Sequence, residues 1–214
     1  MTHCKRYNAG KRIAGVKGFT LIELTIVVVL LGLLAAVAIP RFLDVTEQAE
    51  DATIEAVSGG FATGVGLVRA EWELEARPRD NQGANLSFVT IDGIIVGVDR
   101  NTGYPTGQVN NDNSTEDDAM SALDCESIFN LIMQSAPTIT SNWANRPFDS
   151  FRYFTNFSNG AGSGGNDLCF YYLSKSVRNL QNTPTDDTVG DGFIYDPRIG
   201  QVVVFSNNTN NSSN

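Results

Sequence analysis

The apolar positions of the chain fall into three zones with different spacing, and each zone predicts a different element. Residues 19 to 39, FTLIELTIVVVLLGLLAAVAI, form a nearly unbroken apolar run with one charge, Glu23. As a helix rising about 1.5 Å per residue this run reaches roughly 32 Å, enough to cross the hydrocarbon of a bilayer. The uncharged part, Leu24 to Ile39, is short for a span by itself, so Phe19 to Ile22 and the cost of Glu23 have to be included. After Pro40 the spacing changes. Phe42, Val45, Ala49, Ala52 and Ala56 recur at steps of three and four, and an offset set, Val57, Phe61, Val65, Val68 and Trp72, continues the stripe. Asp44, Glu47, Glu50, Asp51 and Glu55 fill the other face, which makes this segment an amphipathic helix. Pro78 stops the pattern. Residues 19 to 77 could therefore form one helix, roughly 88 Å long if unbroken. Pro40 should kink it, and Gly32, Gly59, Gly60, Gly64 and Gly66 weaken it locally. The outer half of its stripe is expected to pack against the protein's own sheet.

The third zone alternates. Leu86 to Ile91 and Ile94 to Val98 flank Asp92-Gly93, a pair suited to a type I′ hairpin turn. Ser114 or Thr115 is placed to cap a short helix running through Gln134, with Met120, Leu123, Ile128, Leu131 and Ile132 on its apolar side. Phe151 to Phe157 and Leu168 to Ser174 read as strands joined by a flexible, glycine-rich loop from Asn159 to Asn166. Asp191 to Gly200 reads as strand, tight turn and strand. A last strand, Gln201 to Phe205, precedes a polar tail, Ser206 to Asn214, expected to be disordered. The expected fold is α+β: a long N-terminal helix, half membrane-spanning and half amphipathic, with a C-terminal antiparallel sheet packed on its outer half.

Charge adds direction to this picture. Of 15 Lys and Arg in 214 residues, Lys5, Arg6, Lys11, Arg12 and Lys17 lie in the first 18, which hold no acid. The remainder carries 10 bases and 24 acids, a net charge of −14, so no nucleic acid is expected as a partner. The positive-inside rule puts residues 1 to 18 in the cytoplasm and everything after Arg41 outside. A cleaved secretory signal peptide is the bland alternative, but the apolar run is longer than its core and continues into an amphipathic pattern. The single histidine, His3, lies in the basic segment, so the body of the chain lacks imidazole for catalytic triads, dyads or zinc. Glu23 is the residue that needs a functional account. A carboxylate in hydrocarbon must be paired or reach water, and no base follows it before Arg41.

The sequence Lys17-Gly18-Phe19-Thr20-Leu21-Ile22-Glu23-Leu24, followed by a uniform apolar run and Pro40, resembles the class III signal of type IV pilins and of the related type II secretion pseudopilins. The resemblance implies that a prepilin peptidase of the inner membrane cuts between Gly18 and Phe19 and that Phe19 is then N-methylated. It also implies that Glu23 pairs with the N-terminal ammonium of a neighbouring subunit as helices bundle, which supplies the missing cation. A subunit out of register would leave a buried charge unpaired, at a cost of roughly 3 to 5 kcal/mol. Assembly is thus expected to rest on Glu23 and Pro40. The implied partners are sister pilin subunits in a homo- or hetero-polymer, the prepilin peptidase, the inner-membrane assembly platform with its ATPase, and membrane lipid before assembly. The head has a looser resemblance to the mannose-sensitive haemagglutinin type of type IV pilin, particularly its minor subunits. It is carried by Ala62-Thr63-Gly64-Val65 through Trp72 and by Gly103-Tyr104-Pro105-Thr106-Gly107.

The expected organisation is a cleaved leader (1–18), a transmembrane and polymerisation helix (19–40), an amphipathic half-helix (41–78), a β-rich head (79–205) and a tail (206–214). Cys4 faces the reducing cytoplasm, leaving Cys125 and Cys169 on the oxidising side, where a disulfide is the natural reading. Little else suggests chemistry. Asp186, Asp187, Asp191 and Asp196 could offer oxygen ligands to calcium but lack EF-hand spacing, and a solvated loop is the simpler reading. The acid-rich stretch Asp112 to Glu126 reads as a solvated face. Tyr104, Trp143, Tyr153, Tyr171 and Tyr172 could form a ligand surface or a filament tip. No catalytic residue, metal or cofactor is expected. The functional expectation is a structural pilin subunit, major or minor, anchored in the inner membrane with its head outside and then assembled into an extracellular filament for attachment. The alternatives are a pseudopilin of a short periplasmic pseudopilus and a membrane-anchored periplasmic domain that keeps its span.

Overall fold

In the computed structural model, residues 18–110 and 112–207 are described, apart from the side chains of Asp44 and Glu47. The leader before Gly18, Cys4 within it, and the tail beyond Asn207 lie outside the described residues. The chain divides into two units, Met1–Glu47 and Gln48–Asn214, and helix α1 (Leu21–Leu74) contributes to both.

In the first unit, α1 is a helix whose side chains lie in the open. Leu21, Val28, Leu34 and Val37 are all more than half exposed, and the helix continues through Pro40. In the second unit the buried stripe of α1 is Ile54, Phe61, Val65, Val68 and Trp72, at spacings of seven, four, three and four. The expectation of packing holds from Phe61 onward but not for the first set, because Ala49, Ala52 and Ala56 are exposed and Ile54 is buried in their place. In the first unit, Phe42 and Val45 are likewise exposed. The helix stops three residues short of the expected end. Ala76 and Arg77 both adopt left-handed backbone, and the Arg77 amide bonds back to the Trp72 carbonyl at 2.8 Å, closing the C-terminus before Pro78 is reached.

Two sheets follow. β1 (Phe88–Ile91), β2 (Ile94–Val98) and β3 (Pro105–Gly107) form an antiparallel sheet in that order, with Asp92 and Gly93 both at positive φ in the tight β1–β2 turn. β4 (Ile139–Thr140), β5 (Tyr153–Ser158), β6 (Leu168–Leu173), β7 (Gly190–Asp196) and β8 (Gln201–Asn207) form the second sheet, antiparallel except for the β4–β5 pair. α2 (Ala122–Ile132) packs on this sheet, and the four-residue α3 (Ser174–Val177) follows β6. β3, β4 and α3 are too short for the sequence pattern to separate from turns. β8 runs past the expected strand end at Phe205, because Ser206 and Asn207 still pair with Asp191 and Gly190.

Strand alternation puts aromatics on both faces of the larger sheet. Tyr153, Tyr171, Phe193 and Tyr195 meet α1 and α2, while Phe154, Phe170, Tyr172 and Phe205 form a second cluster with Phe148 and Val177. Phe61 of α1 is the hub of the first face, with ring centroids 5.1 Å from Tyr171, 5.3 Å from Tyr195 and 5.4 Å from Phe193. Gly64, one turn along, is where α2 approaches most closely: a Cβ there would lie 2.7 Å from the Ile132 carbonyl oxygen. A larger residue would push the two helices apart. The smaller sheet closes over Val68 and Trp72 with Val89, Val96 and Val98.

Candidate assembly site

The apolar helix of the first unit begins at a capping box. The Thr20 hydroxyl accepts the Glu23 amide at 3.3 Å, and one Glu23 carboxylate oxygen accepts both the Thr20 amide at 3.0 Å and the Thr20 hydroxyl at 2.8 Å. Glu23 thus has local hydrogen-bond partners inside its own chain, which the spacing of basic residues does not reveal. The Thr-x-x-Glu spacing ahead of an apolar run is the signal that could have revealed it. Thr20 offers Glu23 hydrogen bonds but no charge, Glu23 makes no ion pair among the described residues, and both residues are exposed. Gly18 and Phe19 precede the helix outside any regular element and in the open: a Cβ on Gly18 would meet nothing within 4 Å, and Phe19 is 79% exposed. Pro40 lies within α1, without a backbone donor to return to the carbonyl four residues earlier.

The model of the prokaryotic N-terminal methylation motif matches residues 13–39, the segment that holds Gly18, Phe19 and Glu23. Over 55 residues the chain is 44% identical to the type IV narrow pilus major component PilA5 of Thermus thermophilus, covering 26% of this chain and 47% of that protein. The N-terminal half of the chain is thus similar to a type IV pilus subunit. A fimbrial protein of Moraxella nonliquefaciens is 32% identical over 97 residues, covering 38% of this chain and 63% of that protein. The chain therefore spans about half to under two thirds of the length of these relatives. No solved structure gives a significant match.

In the head the other residues singled out from the sequence mostly serve architecture. Cys125 on α2 and Cys169 on β6 are bonded, with Cα atoms 5.6 Å apart, and both are fully buried. The proposed ligand surface of aromatics is overturned: Tyr153, Tyr171 and Tyr172 are buried in the two core clusters, and Tyr104 and Trp143 are partly buried against them. Tyr171 and Tyr195 donate to the carbonyls of Cys125 and Pro105, each at 2.8 Å, so their hydroxyls are spent inside the fold. Burial pushes the Tyr153 phenol up to about 12 and those of Tyr171 and Tyr195 well above their ordinary value.

The acid-rich stretch is also not the solvated face expected. α2 starts at Ala122, not near Ser114, because Ser121 caps it: Asp124 accepts from the Ser121 hydroxyl at 2.6 Å and amide at 2.9 Å. Asp124 is buried, and that burial raises its carboxyl above the ordinary value. Asp117 is buried too and takes a two-pronged bond from Arg198, 2.7 Å from Nε and 2.8 Å from Nη2. Arg198 also donates to the Gly164 carbonyl at 2.5 Å. The Gly160 amide bonds to Asp167, so the glycine-rich loop expected to be flexible is tied down at both ends. Among the acids considered for calcium, Asp191 accepts from Ser206, Asp186 from Thr188, and Asp196 from Asn166 and the Arg198 amide. Among the described residues no cluster of three or more His, Cys, Asp or Glu could hold a metal.

Proposed function

We propose that the protein is a subunit of an extracellular type IV pilus. It is held in the inner membrane by residues 19 to 39, with the head outside, until a prepilin peptidase removes residues 1–18 and Phe19 is N-methylated. Sister subunits then bundle through residues 19–40 and the start of the 41–78 half-helix, driven by a cytoplasmic ATPase through the membrane platform. The observation that carries this reading is the exposed apolar surface of α1 from Leu21 to Val45, far too much apolar area for a water-facing helix. Lipid covers it before assembly and neighbouring helices cover it afterwards. Glu23 and the methylated Phe19 amine of the next subunit set the stagger, because inside an apolar bundle an unpaired carboxylate is costly. Attachment to surfaces, and a place among haemagglutinin-type or minor subunits, extend the same proposal to the head.

Mass spectrometry of sheared surface filaments, compared with the membrane fraction, tests it. A peptide beginning at N-methylated Phe19 in the sheared material is the expected result. Processed protein confined to the membrane would move the assignment to a pseudopilin, and an intact Gly18-Phe19 bond would remove the filament altogether. Glu23→Val should leave processing intact yet drop the subunit from filaments; normal filaments built of that variant would refute the register role.

A further inference from the structure

The head has a second chemical feature that the assembly reading does not use. A cavity of about 430 Å³ opens between the loop before β5 and the β6–α3 junction, within the size range of small-molecule sites. Its lining includes Arg152, Ser174, Lys175 and Arg178, together with Phe151, Thr138 and Ser150. Three of the ten cations that follow Gly18 therefore meet at one place on a strongly acidic protein.

Lys175 is occupied, paired with Glu50 at 2.5 Å. Arg152 and Arg178 make no ion pair among the described residues. The opposing charge left over is that of Asp149, exposed in the same lining. Backbone bonds fix the geometry: the Ser174 amide donates to the Arg152 carbonyl and the Arg178 amide to the Ser174 carbonyl, each at 3.0 Å, so the three residues are locked in sequence around Ser174. Ser174 is 5% exposed, and its hydroxyl is buried without a hydrogen-bond partner among the described residues. A buried hydroxyl left unsatisfied costs stability, of the order expected where a ligand completes it.

We propose that this cavity binds the carboxylate of a hexuronate-type sugar. The two free guanidiniums are suited to grip a carboxylate, and the Ser174 hydroxyl can donate to it or to a ring hydroxyl. Phe151, which is only partly buried, offers apolar surface to the face of a pyranose ring, while Thr138 and Ser150 offer partners to its hydroxyls. The proposal is independent of how the subunit assembles. Its ligand chemistry has two sources, a free hexuronate or a residue within an acidic polysaccharide.

Isothermal titration of the full chain in detergent micelles tests it, with glucuronate, polygalacturonate and neutral glucose as probes. Glucuronate should bind at least about tenfold more tightly than glucose. Arg152→Gln and Arg178→Gln should each weaken it about tenfold with unchanged melting temperature, and Ser174→Ala about threefold. Asp149→Asn should tighten binding by about twofold or more. A polymer that binds more tightly per sugar than the monomer identifies a chain residue as the ligand, and equal binding identifies the free acid. Absence of heat with both acidic probes, equal binding of glucose, or folded arginine variants that bind as the parent does, would each overturn the site.

Discussion

Reduction of the Cys125–Cys169 disulfide offers a quantitative test of what holds the head together. The two cysteines are 44 positions apart and clamp α2 to β6 across the buried face of the sheet. Closing a loop of that length removes roughly 13 cal/mol/K of entropy from the unfolded chain, or about 4 kcal/mol at 25 °C. The head unit from Gln48 has about 160 described residues, and at about 2.1 cal/mol/K per residue its unfolding entropy is about 0.34 kcal/mol/K. The melting temperature should therefore fall by about 12 °C on reduction. Near-ultraviolet circular dichroism is the suitable probe, because Tyr153, Tyr171 and Tyr195 are packed within this one cluster and report on the head rather than on the apolar helix. Two samples separate entropy from packing: the parent protein in a thiol reductant keeps its sulfurs, whereas Cys125→Ala with Cys169→Ala also loses buried volume and should melt slightly lower still. A reduced parent that melts within about 3 °C of the oxidised one would refute loop closure as the source of stability.

Two further predictions concern the head. Gly103 and Gly93 both have positive φ, but a Cβ on Gly103 would lie 2.3 Å from the Trp72 ring, whereas one on Gly93 meets nothing within 4 Å. Gly93→Ala should cost about 1 kcal/mol for backbone strain alone and Gly103→Ala at least about 2 kcal/mol more, measured by urea denaturation; equal losses would refute the Trp72 contact. Burial raises the folded-state value of Asp124, so its contribution to stability is full below the ordinary value of about 3.9 and is lost as pH rises through the raised one. Asp124→Asn keeps an acceptor for Ser121 and removes the titration. The stability of the parent relative to this variant should thus decline with rising pH from about 4 and then level off, and a difference that grew with pH would reverse the assigned sign.

How much of this was legible beforehand depended on whether a residue's partner lay close in the sequence. The β1–β2 hairpin was readable because Asp92-Gly93 fixes its own turn, and the buried stripe from Phe61 to Trp72 because helical spacing alone defines a face. Asp117 was misread as solvated because its partner, Arg198, is 81 positions away on the β7–β8 turn, and no local pattern joins them. Tyr153, Tyr171 and Tyr172 were misread as a surface for a related reason. Their strands are covered on both faces, so alternation could not mark an exposed side, and a tyrosine hydroxyl looks polar until its buried acceptor is known.

Glu23 was half legible, and what was missed changes the physical account of it. No base follows Glu23 before Arg41, which left pairing or contact with water as the ways to satisfy its charge. Thr20 supplies hydrogen bonds and no charge, so capping and pairing are separable demands on one carboxylate. The proposed cleavage leaves the box intact, since Thr20 would become the second residue and keep its amide and hydroxyl, while the new amine would stand on Phe19 beside it. A carboxylate already oriented by Thr20 loses less side-chain freedom when a neighbour's amine arrives, so the pairing can be selective without the helix end having to reorganise. On this account Thr20→Val should weaken filament incorporation less than Glu23→Val does, because it removes the orientation and leaves the charge. The amounts of each variant in sheared filaments measure that ordering directly, and equal loss from both would show that the cap, and not the charge, is what assembly requires.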